Sequence, residues 1–203
     1  TNAEPEVAVY PFTTREPFPA MMPCGGALVQ LIDTPPIAEG HMEPYLINYV
    51  RSADLVLLCF DGSSDDAADE TLAVLEQFGK RKTLLAETTG FDEEDFSRLR
   101  VRTRLVLTRA RDEDSVMRVD LLREASPREL PVLSVELTDE DSCEALRRAI
   151  FEALNVIRVF TKSPGKPAVF EDPFTIPRGG TVEDLAERVH RDLAEKLKFA
   201  RVW

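Results

Sequence analysis

Long apolar runs are missing from this chain, and so is most of the chemistry of metal and disulfide sites. No stretch approaches the roughly 18 consecutive apolar residues that a membrane span needs, so no membrane partner is expected. Thr1 to Val9 show no basic start followed by an apolar run, and therefore no secretory signal. Cysteine is scarce: Cys24, Cys59 and Cys143 lie far apart, are odd in number and lack metal-ligand spacing. They are expected to be thiols in a reducing, cytoplasmic setting. Two histidines, His41 and His190, are too few for a Cys/His metal centre.

A basic balance is missing too. The net charge is −12, and it is unevenly spread. From Val156 to Trp203 there are nine Lys/Arg and seven Asp/Glu, which leaves 16 basic and 30 acidic residues before them. The first part repels a polyanion over most of its surface, so DNA is not an expected partner. The second part can approach RNA or a ribosome without that penalty, although it has no nucleic-acid stripe.

What is present is a regular alternation. Ala27 to Ile32 forms an expected strand ending at Asp33, and Asp54 to Phe60 a nearly continuous apolar one ending at Asp61. Arg104 to Leu107 and Pro131 to Val135 add two more. A helix is expected after Ser64 as its N-cap, with Leu72, Leu75 and Phe78 on one face. Another spans about Asp139 to Leu154, with Cys143, Leu146, Ile150 and Leu154 in register. Between Thr83 and Arg100 the pattern suggests a short strand and an acidic helix near Asp92 to Leu99. Strands alternating with helices predict a parallel α/β sheet. After Asn155 the pattern changes. Val156 to Thr161 is an expected strand, Phe170 to Ile176 a broken one, and Thr181 caps a helix with Asp184 three residues on. Its expected buried stripe is Val182, Leu185, Val189, Leu193 and Leu197, and Phe199 to Trp203 begins a further strand.

The segments that carry chemistry are Thr1 to Thr14, read TNAEPEVAVYPFTT, and Asp33-Thr34-Pro35-Pro36-Ile37-Ala38-Glu39-Gly40. A hydroxyl on a loop plus a carboxylate at a strand end is how a G domain holds Mg²⁺ and senses a γ-phosphate. Together they resemble the Obg family and its relatives, the developmentally regulated GTP-binding proteins, with Tyr10-Pro11-Phe12-Thr13-Thr14 the most diagnostic piece. The resemblance implies an α/β fold: a P-loop GTPase sheet over 1–155, lacking its first strand and phosphate loop. It implies that Thr14 and Asp33 serve Mg²⁺, and that Phe12, Thr13, Arg15 and Glu16 flank GTP or GDP. Ile37 stands where many GTPases have a catalytic glutamine, and an apolar residue there is normal for this family.

Three positions depart from the family pattern. The Gly-rich loop ending Gly-Lys-Ser/Thr belongs just before Thr1, and residues 1–203 hold none. Pro36 replaces the switch II glycine, so the N–H that binds the γ-phosphate cannot exist there. Thr108-Arg109-Ala110-Arg111 stands where Asn-Lys-x-Asp should read guanine. A carboxylate accepts two hydrogen bonds from the guanine edge, whereas Arg111 offers only donors. Asp112, one residue late, could substitute only if the loop shifts. Ser134-Val135-Glu136 falls at the last, weak guanine-loop motif.

Residues 156–203 resemble a TGS domain, an α+β β-grasp module. The match runs through Ile157-Arg158-Val159-Phe160-Thr161-Lys162, Gly180-Thr181-Val182-Glu183-Asp184-Leu185-Ala186 and Lys198 to Trp203, and the module's last strands would follow Trp203. The whole implies a translation- or ribosome-associated switch with weak or lost GTP hydrolysis, inactive as this chain stands. The other reading is a non-catalytic relative whose TGS module binds RNA, a nucleotide or a protein. No residue is assigned a catalytic role. Simpler readings hold for the remaining candidates. His190 is expected to be a partly buried structural residue, Phe199 and Trp203 core or chain-end packing, and Asp92 to Asp95 a solvated face. Asp61 with Ser63 to Asp66 is expected to be an acidic helix start rather than a metal loop.

Overall fold

A computed structural model describes residues 16–37, 42–126, 128–162, 165–167 and 170–202. The chain divides into two compact units. Among the described residues, one holds 16–18 and Ile32–Ala149; the other holds Pro19–Leu31 and the residues from Ile150 onward.

The first unit is built on a five-stranded sheet around β6 (Leu99–Thr108). β3 (Val56–Asp61) runs parallel to it with Val56 opposite Thr103 and Asp61 opposite Thr108. β7 (Val132–Ser134) and β4 (Thr83–Ala86) are also parallel to it, and the two-residue β5 (Gly90–Phe91) is antiparallel. The length of β6 follows from its alternation: Val101, Thr103 and Leu105 are buried, while Arg100, Arg102 and Arg104 point to the other face. On the buried face Phe60, Leu85 and Leu105 meet Leu75 and Phe78 of α2 (Ala67–Lys80), Leu46 of α1 (Leu46–Ser52), and Val119 and Leu122 of α3 (Ser115–Ala125). α4 (Glu140–Ala153) follows β7 and buries Ile150. The parallel α/β sheet expected from the alternation is therefore present.

Several local expectations are corrected. No helix forms near Asp92 to Leu99. The Asp92 carboxylate accepts the Glu94 and Asp95 amides at 3.0 and 3.1 Å, and that of Asp95 accepts the Ser97 amide at 3.0 Å, so the acids turn the chain. Helix α2 starts at Ala67 after Asp66, and Ser64 is not its cap. The helices α1 and α3 carry no strong signal and were not expected.

In the second unit β1 (Phe18–Cys24) and β2 (Ala27–Asp33) pair with each other across the Gly25-Gly26 turn. Among the described residues neither joins the five-stranded sheet. The turn instead rests on Arg158, which donates to the Cys24 carbonyl at 3.2 Å and lies 3.9 Å from the Phe151 ring centroid. Gly25 has φ +53°, and a Cβ there would lie 2.7 Å from that guanidinium, so glycine suits both the backbone and the space. β8 (Val156–Val159) pairs antiparallel with β9 (Phe174–Pro177), and α5 (Val182–Val189) buries Ala186 near Ile176. The Thr181 hydroxyl accepts the Asp184 amide at 3.2 Å and the Asp184 carboxylate accepts the Thr181 amide at 2.6 Å. This is the capping box expected from sequence. Thr181→Ala should cost about 1 kcal/mol of this unit's stability by chemical denaturation; no change would show that the cap does not hold α5.

The long buried stripe is corrected. The backbone of His190 is extended, and it divides α5 from α6 (Arg191–Glu195). His190 is exposed, and its Nδ1 accepts the Asp192 amide at 3.1 Å. Val182, Val189 and Leu193 are exposed because β8 and β9 form too narrow a surface to cover them. Residues 199–202 form no strand, and Phe199 is 80% exposed rather than packed. Trp203 and His41 lie outside the described residues.

Candidate functional site

Parallel strands place their C-terminal ends on one edge, which is where ligands of α/β sheets bind. Here β3, β6 and β7 bring Asp61, Thr108 to Arg111 and Ser134-Val135 to that edge. The ends are stitched together by main-chain bonds. The Gly62 amide donates to the Thr108 carbonyl at 2.9 Å, the Val135 amide to the Leu107 carbonyl at 2.8 Å, and the Thr108 hydroxyl to the Phe60 carbonyl at 3.1 Å. A Cβ on Gly62 would lie 2.7 Å from the Thr108 carbonyl oxygen, so the two strand ends can approach only because position 62 is glycine.

Around this edge lies a network of arginines and aspartates. Arg109, held at φ +50°, donates to the Asp61 carboxylate at 2.6 Å and to the Ser63 hydroxyl at 2.9 Å. Arg111 pairs with Asp139, whose other oxygen accepts the Asp141 and Ser142 amides at the start of α4. Arg118 is buried in α3. It donates to Asp65 at 2.7 and 2.9 Å, to Asp112 at 2.7 Å and to the Gly62 carbonyl at 2.6 Å. Asp112 also accepts the Asp114 amide at 3.1 Å. One guanidinium thus ties the loop after β3 to the loop after β6.

The carboxyls respond to these partners. The guanidinium of Arg118 and then the Asp114 amide hold Asp112 below the usual aspartate range. The Ser142 amide and then Arg111 do the same for Asp139. Partial burial pushes Asp61 up, but hydrogen bonds from Ser63 and the nearby Arg109 outweigh it and the net shift is downward. A lowered folded-state pKa stabilises the fold above the ordinary value near pH 4 and loses that effect as the pH falls through the folded value.

Of the residues proposed from sequence, Phe12, Thr13, Thr14 and Arg15 lie outside the described residues. Glu16 and Ser134 are exposed, Thr108 is half-buried and Val135 is a core residue. Asp33 is exposed at the end of β2, where its charge helps burial raise the Cys59 thiol pKa. Pro36 is exposed, and Ile37 packs against the core. Among the described residues no group of three or more His, Cys, Asp or Glu could hold a metal ion. The Asp33 carboxylate offers a hard oxygen, which fits Mg²⁺ only when phosphates and water supply the other ligands.

Sequence reasoning missed Arg118, Asp65 and Asp139 as members of this edge. The reason is visible only once α3 is known. Ser115, Arg118, Val119 and Leu122 recur at helical spacing and are all buried. A charge inside such a stripe demands partners.

A profile described as "50S ribosome-binding GTPase" matches residues 1–89, and one described as "TGS domain" matches residues 157–203. Over its whole length the chain is 26% identical to an uncharacterized GTP-binding protein of Methanocaldococcus jannaschii and covers 66% of it. It is 26% identical to GTP-binding protein 1 of Schizosaccharomyces pombe and 24% identical to developmentally-regulated GTP-binding protein 2 of Mus musculus, covering 70% of each. The chain thus spans about two thirds of these relatives. The first match runs over 263 residues against 203 here, so that relative carries additional residues inside the matched region.

Proposed function

We propose that this chain, which resembles the developmentally regulated GTP-binding proteins in carrying a GTPase-type segment followed by a TGS domain, acts as a translation- or ribosome-associated G protein with weak or lost GTP hydrolysis. The observation that carries the second half is the pairing of Arg111 with Asp139. The position that should offer guanine a carboxylate holds a cation, and that cation is committed to the acid that starts α4. Pro36 adds to it, since no amide there can meet a γ-phosphate. The profile matched by residues 1–89 and the mildly basic balance from Val156 onward support the ribosomal half. We take 1–155 as the GTPase domain and 156–203 as the TGS domain. Asp33 and Thr14 would hold Mg²⁺ against nucleotide phosphates, which lets the ion offset phosphate charge.

A second reading, a non-catalytic relative that uses the scaffold for interaction with RNA, a nucleotide or a protein, gains support from Asp112. Its carboxylate is engaged by Arg118 and by the Asp114 amide, so it cannot turn to a base without breaking the network.

The test is co-sedimentation with ribosomal particles alongside phosphate release from GTP. The chain should pellet with the particles while release stays at the particle-only rate. Particle-stimulated turnover on the order of 1 per second would overturn the loss of hydrolysis. Failure to pellet with GTP, with GDP or with no nucleotide would overturn the ribosomal assignment.

A further inference from the structure

A second concavity lies at the other end of the sheet, away from the base loops. It has a volume of about 300 Å³. Its apolar lining is Leu72 and Leu75 of α2 and Leu84 of β4, and its charged lining is three cations and one acid: Lys80 at the end of α2, Arg98 just before β6, Arg128 just after α3, and Glu76 of α2.

The three cations differ in how they are satisfied. Lys80 pairs with Glu76 at 2.8 Å and Arg98 with Asp95 at 3.1 Å. Among the described residues the half-buried guanidinium of Arg128 makes no hydrogen bond or ion pair, and Asp92 acts on it only at longer range. Burial, and then the positive charge of Arg98, both disfavour its charged form. It does not serve the end of α2 either. The Phe78 and Gly79 carbonyls already accept the Arg81 and Lys82 amides at 3.0 Å, and the Gln77 carbonyl accepts Arg81 Nη1 at 3.0 Å. Two guanidiniums facing one apolar hollow repel each other unless an anion lies between them.

We propose that this concavity binds a small organic phosphate, its head held by Arg128, Arg98 and Lys80 and its apolar body resting on Leu72, Leu75 and Leu84. Arginine's planar fork matches a phosphate, and three cations suit a dianion better than a carboxylate. The volume suits a small molecule. A polynucleotide is disfavoured because residues 1–155 carry 30 acidic against 16 basic side chains, which would repel the phosphates that extend beyond the concavity.

The experiment is calorimetric titration of the 203-residue chain with phenyl phosphate, inorganic phosphate and benzoate. Phenyl phosphate should bind with a dissociation constant on the order of 0.1–1 mM, about tenfold tighter than the other two. Arg128→Gln should weaken it at least tenfold with little change in melting temperature. Arg123→Gln, an exposed change on α3 where Arg123 pairs with Asp120, should leave it unchanged. Absence of binding at 10 mM phenyl phosphate, benzoate binding as tightly, or equal binding by the Arg128→Gln chain would each overturn the proposal.

Discussion

Replacing Arg118 with alanine should lower the melting temperature by on the order of 5–10 °C and loosen the loops that follow β3 and β6. The buried guanidinium meets two carboxylates and the Gly62 carbonyl at 2.6 to 2.9 Å, with a third carboxylate, that of Asp114, at 3.7 Å. Its removal leaves that carbonyl without its side-chain donor and leaves Asp65, Asp112 and Asp114 repelling one another. The loss should be largest at neutral pH and shrink toward pH 4 and below, because protonated carboxyls no longer need the cation. Amide exchange should rise in residues 61–65 and 109–115 but not in α5. Arg118→Lys should recover only part of the loss, since an ammonium cannot bridge the same partners. A variant melting within 1 °C of the parent at pH 7 would show that the network does not hold these loops.

Truncating Phe60 to alanine should cost about 3–5 kcal/mol, a large share of the usual stability of a domain. Phe60 is 1% exposed and packs in the cluster containing Leu46, Phe78, Leu85 and Leu105. It is also the last core residue before the C-terminal edge of the sheet, and its carbonyl accepts the Thr108 hydroxyl. A cavity there should therefore weaken the β3–β6 junction that carries Asp61 and Arg109. Chemical denaturation followed by near-ultraviolet circular dichroism reports the loss. A cost below about 1 kcal/mol would mean that the cluster collapses to fill the space and that Phe60 is not its keystone.

The fold was legible wherever burial writes a period into the chain. The apolar run of β3 and the stripe of α2 produce their elements directly. The acidic segment 92–98 misled because Asp92 and Asp95 favour a helix start only when their side chains do not fold onto nearer amides, and here they do. The stripe through α5 misled for another reason. It is apolar and helical in period, but burial requires a surface to cover it, and β8 with β9 offers a narrow one. At the candidate site, the strand-end positions of Asp61, Thr108 to Arg111 and Ser134 followed from the alternation. The partners of those arginines did not, because Arg111 and Asp139 are 28 residues apart and Arg109 and Asp61 48 apart. Charge pairing across such separations depends on the register of β3, β6 and β7, which no local pattern encodes.

The central claim is that the loops proposed to read the base are held here in internal ion pairs. Equilibrium titration of the chain with GTP, GDP and ATP in the presence of Mg²⁺ addresses it most directly. The account predicts no saturable binding of any of the three below about 100 µM, and no preference for guanine over adenine. A low-micromolar dissociation constant for GTP, with a preference over ATP of about a hundredfold or more, would contradict it. That result would mean that Arg111 leaves Asp139 and that a carboxylate, with Asp112 the nearest, takes up the guanine edge.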